Sequence, residues 1–93
     1  MIRSFANEAT KQVFDGQFVK EIPRRMQQRA LAKLQMLNAA GDLKDLEAVR
    51  SNKLETLSGG RSGKHCICVD RDGRICFRWD GGHAYDVEIF GYH

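Results

Sequence analysis

Long apolar runs are missing from this sequence. None approaches the ~18 consecutive apolar residues of a membrane-spanning helix, so no membrane association is expected. The opening MIRSFANEATK has no apolar stretch of the kind a secretory leader needs, which points to a cytoplasmic protein. Cysteine is sparse: three residues, at positions 66, 68 and 76, with no C-x-x-C pair. A secreted scaffold of this size would have more and would pair them. Reduced, packed thiols are therefore expected. There is no internal repeat and no low-complexity tract. Neither sign of charge dominates: 15 Lys and Arg against 12 Asp and Glu leave a net charge of +3. That mild excess suits a nucleic-acid partner without identifying one.

What is present fits one globular domain spanning residues 1–93, with 42% hydrophobic and 29% charged residues. IRSF is a short strand candidate. Asn7 or Ser4 can cap a short helix that carries Val13 and Phe14 and stops near Gly16. Pro23 suits the first turn of a longer helix. Ile22, Met26, Ala30, Leu34 and Leu37 then recur at spacings of three and four, with Arg and Gln on the other side, until Gly41. Asp42 can cap one further turn through Leu43 and Leu46. Residues 47–64 read as loop, with SGGRSGK the clearest break.

After Lys64 the period becomes two. Ile67 and Val69, then Ile75, Phe77 and Trp79, then Tyr85, Val87 and Ile89 define the apolar faces of three strands. The short links DRDG and DGGH predict an antiparallel meander. For Ile67 and Val69 to share a face with Ile75 and Phe77, the first link must hold an odd number of residues. Arg71-Asp72-Gly73 provides three, which predicts Asp70 opposite Arg74 and Cys68 opposite Cys76. Helices cover the apolar face. The open face carries Cys66, Cys68, Cys76, Arg74 and Arg78, and a substrate could lie there.

The segments NKLETLSGGRSGKHCICV, GRICFRW and VEIFGYH, in that order after MIRSF, resemble the HigB-type toxins of the RelE/ParE superfamily along the whole chain. The resemblance implies the toxin of a bacterial type II toxin–antitoxin pair. The implied fold is α+β and RelE-like. An N-terminal strand and two helices pack on one face of a four-stranded, mainly antiparallel sheet. The implied activity is a ribosome-dependent, metal-independent endoribonuclease that cuts mRNA in the A site, without a cofactor. The implied partners are a helix-turn-helix, HigA-like antitoxin and the 70S ribosome with its mRNA. Operator DNA would be met only through the antitoxin.

The residues suit that chemistry. RNA cleaves itself when its 2′-hydroxyl attacks the adjacent phosphate. A protein assists by taking the hydroxyl proton, neutralising the phosphorane and protonating the leaving 5′-oxygen. The resemblance places the catalytic arginine at Arg74, whose forked guanidinium matches phosphate oxygens. It assigns a functional role to the terminal pair, Tyr92 and His93. Histidine titrates near neutrality, and tyrosine stacks on bases or donates a hydrogen bond. Arg61 and Lys64 flank the Gly/Ser turn, Arg71 lies in the hairpin link and Arg78 on the open face. These four are candidate RNA contacts. Arg24, Arg25, Arg29 and Lys33 make the long helix basic as well.

The sequence also departs from the family pattern. Glu55 and Ser58 stand where some members carry histidine and lysine, which makes Glu55 a candidate base. Gly91 replaces a frequent acid and Gly73 a frequent aromatic residue. Two other readings follow from the superfamily: a same-fold toxin with another target, as in gyrase-directed relatives, or a catalytically weak antitoxin-binding module. A zinc site built from His65, Cys66, Cys68, Cys76, His83 or His93 is disfavoured. Alternation turns His65 away from the cysteines, and structural-zinc spacing is absent.

Overall fold

The structure is a computed structural model that describes residues 1–57 and 64–91. Arg61, Ser58, Tyr92 and His93 lie outside the described residues.

Helix α1, Glu8–Phe14, starts where Asn7 caps it: the Asn7 side-chain oxygen accepts the Thr10 N–H at 2.9 Å. The other candidate cap, Ser4, accepts the Asp86 N–H through its hydroxyl instead. Helix α2, Arg24–Ala39, begins after Pro23, which has no side chain to cap it. Gln27 organises the entry. Its amide nitrogen donates to the carbonyls of Val19 and Ile22 at 2.6 Å each, and its oxygen accepts the Val19 N–H. Those three bonds make its burial tolerable. The expected stripe of Ile22, Met26, Ala30, Leu34 and Leu37 is buried. Burying each of the large ones is worth about 1.5–3 kcal/mol. Helix α3, Leu43–Glu47, has a reciprocal capping box formed by Asp42 and Asp45 and puts Leu46 in the core.

The sheet order is β1-β2-β3-β4, from Glu55–Thr56, Lys64–Cys68, Arg74–Asp80 and His83–Phe90, all neighbours antiparallel. The three helices pack on one face, over Ile67, Ile75, Phe77, Val87 and Ile89. The N-terminal strand candidate runs parallel to β4 but joins it through isolated bridges, Ile2–Ala84 and Phe5–Val87. The fourth strand is instead β1, inside the segment read as loop.

The first hairpin corrects the expected register by two residues. Cys66 pairs with Cys76, Ile67 with Ile75, and Cys68 with Arg74. The link is longer than Arg71-Asp72-Gly73 because Asp70 folds into it. Its carboxylate accepts the N–H groups of Asp72 and Gly73 at 2.9 Å each, and the Gly73 carbonyl accepts from Val69 and Asp70. A shift of two preserves parity, so the apolar residues still face the core. On the open face every pairing changes. Asp70 does not face Arg74, and Cys68 does not face Cys76.

That register also overturns the expectation of three free thiols. Cys66 and Cys76 stand directly opposite one another and are joined by a disulfide, while Cys68 is free. The Cys68 thiol donates to the Asp70 carbonyl at 3.0 Å.

The second hairpin turns at Gly81 and Gly82, both at positive φ. Its ladder then slips between Cys76 and Arg78, with Asp86 in the left-handed region at φ 54°. This bulge reverses the alternation expected before Asp86, while Val87 and Ile89 keep the expected core face. Ala84 is the fully buried residue, opposite Trp79, and Tyr85 turns to the open face opposite Arg78.

Candidate functional site

The uncovered face of the sheet gathers Glu55 from β1, Lys64, Cys66 and Cys68 from β2, Arg74, Cys76 and Arg78 from β3, and Tyr85, Glu88 and Phe90 from β4. Pairing across the ladders places all of them on one side. The disulfide occupies the middle row, between Glu55 and Glu88.

Arg74 begins β3 and is well exposed. Its Nη1 lies 3.6 Å from Oε1 of Glu55, and both side chains are 58% accessible. The Asp70 carboxylate is engaged within its own turn. Glu55 is therefore the anionic partner of Arg74 among the described residues. Beside the pair, a cleft of about 260 Å³ is lined by Lys53, Cys68, Arg71 and Gly73 among others. Arg71 also borders a larger cleft of about 790 Å³ with Arg25 and Arg29 of α2, where Asp70 and Asp72 supply opposite charge.

Arg78 sits differently. Its guanidinium lies 4.6 Å above the Tyr85 ring centre, with Nε 3.8 Å from Asp86 and Nη1 4.0 Å from Asp80. Lys64, its ladder partner, is half-buried.

Two departures from the family pattern have structural counterparts. A side chain at Gly73 would collide with the Met26 terminal methyl, so Met26 of α2 fills the space beside the turn. Gly91, at φ 88°, presses against the Asp72 carbonyl, where any Cβ would clash with backbone. The chain thus returns from β4 to the turn that precedes Arg74.

His65 lies on the opposite, core side of β2, as alternation required. It is 7% exposed, packs on Phe77, and its Nδ1 lies 2.9 Å from the Thr56 hydroxyl. Burial pushes its pKa below the ordinary imidazole value. No group of three or more His, Cys, Asp or Glu side chains among the described residues is placed to hold a metal ion.

The site thus brings together Arg74 and Glu55, with Arg71 at the edge of the same cleft. It sets Lys64 and Arg78 one end further along the sheet. The sequence reading missed Phe90, which is 40% exposed and is the ladder partner of Arg74. Its alternation with Glu88 was the available signal. It also missed Lys53, whose left-handed backbone at φ 45° ends the short 3₁₀ turn before β1. Nothing in the local sequence marks that residue.

Comparisons with known proteins bear on the family and the fold. A family model described as the RelE-like toxin of type II toxin–antitoxin system HigB matches residues 3–93. The endoribonuclease HigB of Proteus vulgaris is 30% identical over 93 residues, with 100% of each chain covered. The solved YoeB dimer of Staphylococcus aureus superposes with a TM-score of 0.51 at 16% identity, covering 99% of this chain and 97% of that one. At that identity the likeness concerns the fold alone. No helix among the described residues is long and apolar enough to cross a membrane.

Proposed function

The chain belongs to the HigB-like family of RelE-like toxins from type II toxin–antitoxin systems, whose curated relative is an endoribonuclease, and we propose that it cuts mRNA in the ribosomal A site with Arg74 and Glu55 as the central pair. The observation that carries this reading is their geometry. A fixed cation and a carboxylate lie 3.6 Å apart on the uncovered sheet face, beside a cleft.

In this mechanism the 2′-hydroxyl oxygen attacks the adjacent phosphorus. Glu55 takes the hydroxyl proton as the O2′–P bond forms. Arg74 neutralises the charge that builds on the phosphorane oxygens. The P–O5′ bond breaks, and His93 protonates the departing 5′-oxygen. The products are a 2′,3′-cyclic phosphate and a 5′-hydroxyl. Phe90, beside Arg74 on the ladder, offers a flat apolar surface to a base, a role shared with Tyr92. Lys64, Arg61, Arg71 and Arg78 hold neighbouring phosphates. Arg25 and Arg29, across the larger cleft from Arg71, face the ribosomal RNA.

As a type II toxin the protein has an antitoxin partner. We take that partner to be a helix-turn-helix, HigA-like protein that alone contacts operator DNA. The toxin acts in the cytoplasm as one domain.

The test uses purified toxin with mRNA, either free or bound to programmed 70S ribosomes. Primer extension maps the cuts. Cleavage confined to the ribosomal A site is expected. Equal cutting of the free message would remove the ribosome from the mechanism, and an intact message in both would remove the nuclease.

A further inference from the structure

Strand β1 is two residues long and lies at the edge of the sheet, and both of its side chains are exposed. Such a strand has a weakly specified register, because no buried face penalises a slip. A slip of one residue would matter here. It would set Glu55 opposite His65 and turn its carboxylate to the far side of the sheet from Arg74.

One side-chain contact selects against that slip. Thr56 pairs with His65, and its hydroxyl reaches the His65 Nδ1 at 2.9 Å. His65 is a firm anchor, because it is buried and packs on Phe77, itself fully buried. Burial pushes its pKa below the ordinary imidazole value, which favours the uncharged form. Directly after this pair, the Leu57 N–H donates to the Lys64 carbonyl at 2.9 Å. In the observed register the neighbouring pair is Glu55 with Cys66, which turns Glu55 toward Arg74.

We propose that His65 and Thr56 are positioning residues: their hydrogen bond fixes the register of β1 that points Glu55 at Arg74. The inference rests on the reading of Glu55 and Arg74 as the reacting pair. Neither His65 nor Thr56 touches the RNA in this account.

The test compares Thr56→Val, which is nearly isosteric but lacks the hydroxyl, with Thr56→Ser, which keeps it. Thr56 is exposed, so both variants should fold. Cleavage kinetics on programmed ribosomes are measured for each, alone and in a Glu55→Gln background. Amide hydrogen exchange at Leu57 is followed by NMR. Thr56→Val should lower kcat by roughly 10²-fold, the cost of a misplaced reacting group, with KM nearly unchanged. Thr56→Ser should restore the rate. In the Glu55→Gln background, Thr56→Val should cost nothing further, and Leu57 exchange should quicken in Thr56→Val but not in Thr56→Ser.

Wild-type cutting by Thr56→Val beside a slow Glu55→Gln overturns the positioning role and leaves the pair standing. A full additional loss in the Glu55→Gln background overturns it too, since the effect would not pass through Glu55. Wild-type cutting by Glu55→Gln strikes the pair itself and takes the catalytic half of the inference with it. Unchanged Leu57 exchange in Thr56→Val overturns the register half.

Discussion

Arg74 and Arg78 lie four residues apart on one strand and point to the same face, yet their surroundings differ. Among the described residues Arg74 meets a single carboxylate, Glu55, delivered by another strand beside a cleft. Arg78 rests on the Tyr85 ring and has carboxylates on two sides, Asp80 and Asp86. Charge alone does not separate them. What separates them is the origin of the neighbours. The Asp86 bulge brings Tyr85 onto the open face and surrounds Arg78 with its own hairpin. At the other end the long β2–β3 turn locks Asp70 away, which leaves Arg74 free to meet an external anion. In the proposed mechanism the first end holds the transferring phosphate beside one carboxylate, Glu55, whereas the second has carboxylates of its own hairpin on two sides.

The largest effect should come from the carboxylate. Glu55→Gln keeps the shape but cannot accept a proton, so cleavage on programmed ribosomes should slow by ~10²–10⁴-fold. The equivalent change at the other end, Asp86→Asn, should leave cleavage almost untouched. A comparable loss from Asp86→Asn would erase the distinction between the two ends. Next in size, Arg74→Ala should reduce kcat by ~10²–10³-fold, as does the loss of one oxyanion donor. Its thermal melt should barely move, within about 0.5 kcal/mol, because the side chain is exposed. Wild-type growth arrest by a folded Arg74→Ala variant would contradict the assignment.

These contrasts could not have been read wholly from sequence. Helix α2 was legible because apolar residues at helical spacing have one physical outcome: Met26, Ala30, Leu34 and Leu37 are buried on it, and Ile22 is buried just before it. The core-facing side of β2 and β3 was legible for a related reason: the register error was two residues, and a period of two forgives an even shift. The open side had no such protection, and the partners of Arg74 and both paired cysteines were misplaced. Strand β1 escaped notice because Glu55 and Thr56 are exposed and too few to alternate. The bulge escaped notice because Tyr85 and Ala84 both suit an apolar face. Only Asp86, a residue that tolerates the left-handed region, hinted at it. Glu55 was singled out by its alignment with a family histidine, and only the folded sheet brings it to Arg74. Tyr92, His93 and Arg61 stay with the proposal.

The middle row offers a third contrast, since Cys76 sits between the two arginines on β3. Closing the ten-residue separation between Cys66 and Cys76 should stabilise the fold by about 2.7 kcal/mol in the chain-entropy picture. Purified protein without reductant should show one alkylatable thiol, Cys68. Reduction should expose three thiols and lower the melting temperature. The ratio of the Arg74 and Arg78 effects should survive reduction, because the tie braces both ends of the strand alike. Three alkylatable thiols before any reductant is added would show that the cysteines pair only in space.

The smallest effect should belong to Arg78→Ala. Its contacts with Asp80 and Asp86 are long and partly solvated, and such pairs contribute at most about 1 kcal/mol. Its stacking on Tyr85 at an accessible site adds about 0.5–1 kcal/mol. Removing the side chain should therefore lower stability by no more than roughly 1–2 kcal/mol, read from chemical denaturation. For cleavage, a neighbouring-phosphate contact worth under 1 kcal/mol corresponds to less than about a fivefold loss, carried by KM rather than kcat. Neutralising its acids gives the sharper version. In an Asp80→Asn, Asp86→Asn background Arg78 is released toward RNA, so Arg78→Ala should then cost more in KM than it does alone. If Arg78→Ala instead lowers kcat as far as Arg74→Ala does, the reacting phosphate lies at the Arg78 end, and the pairing of Arg74 with Glu55 is a surface ion pair and nothing more.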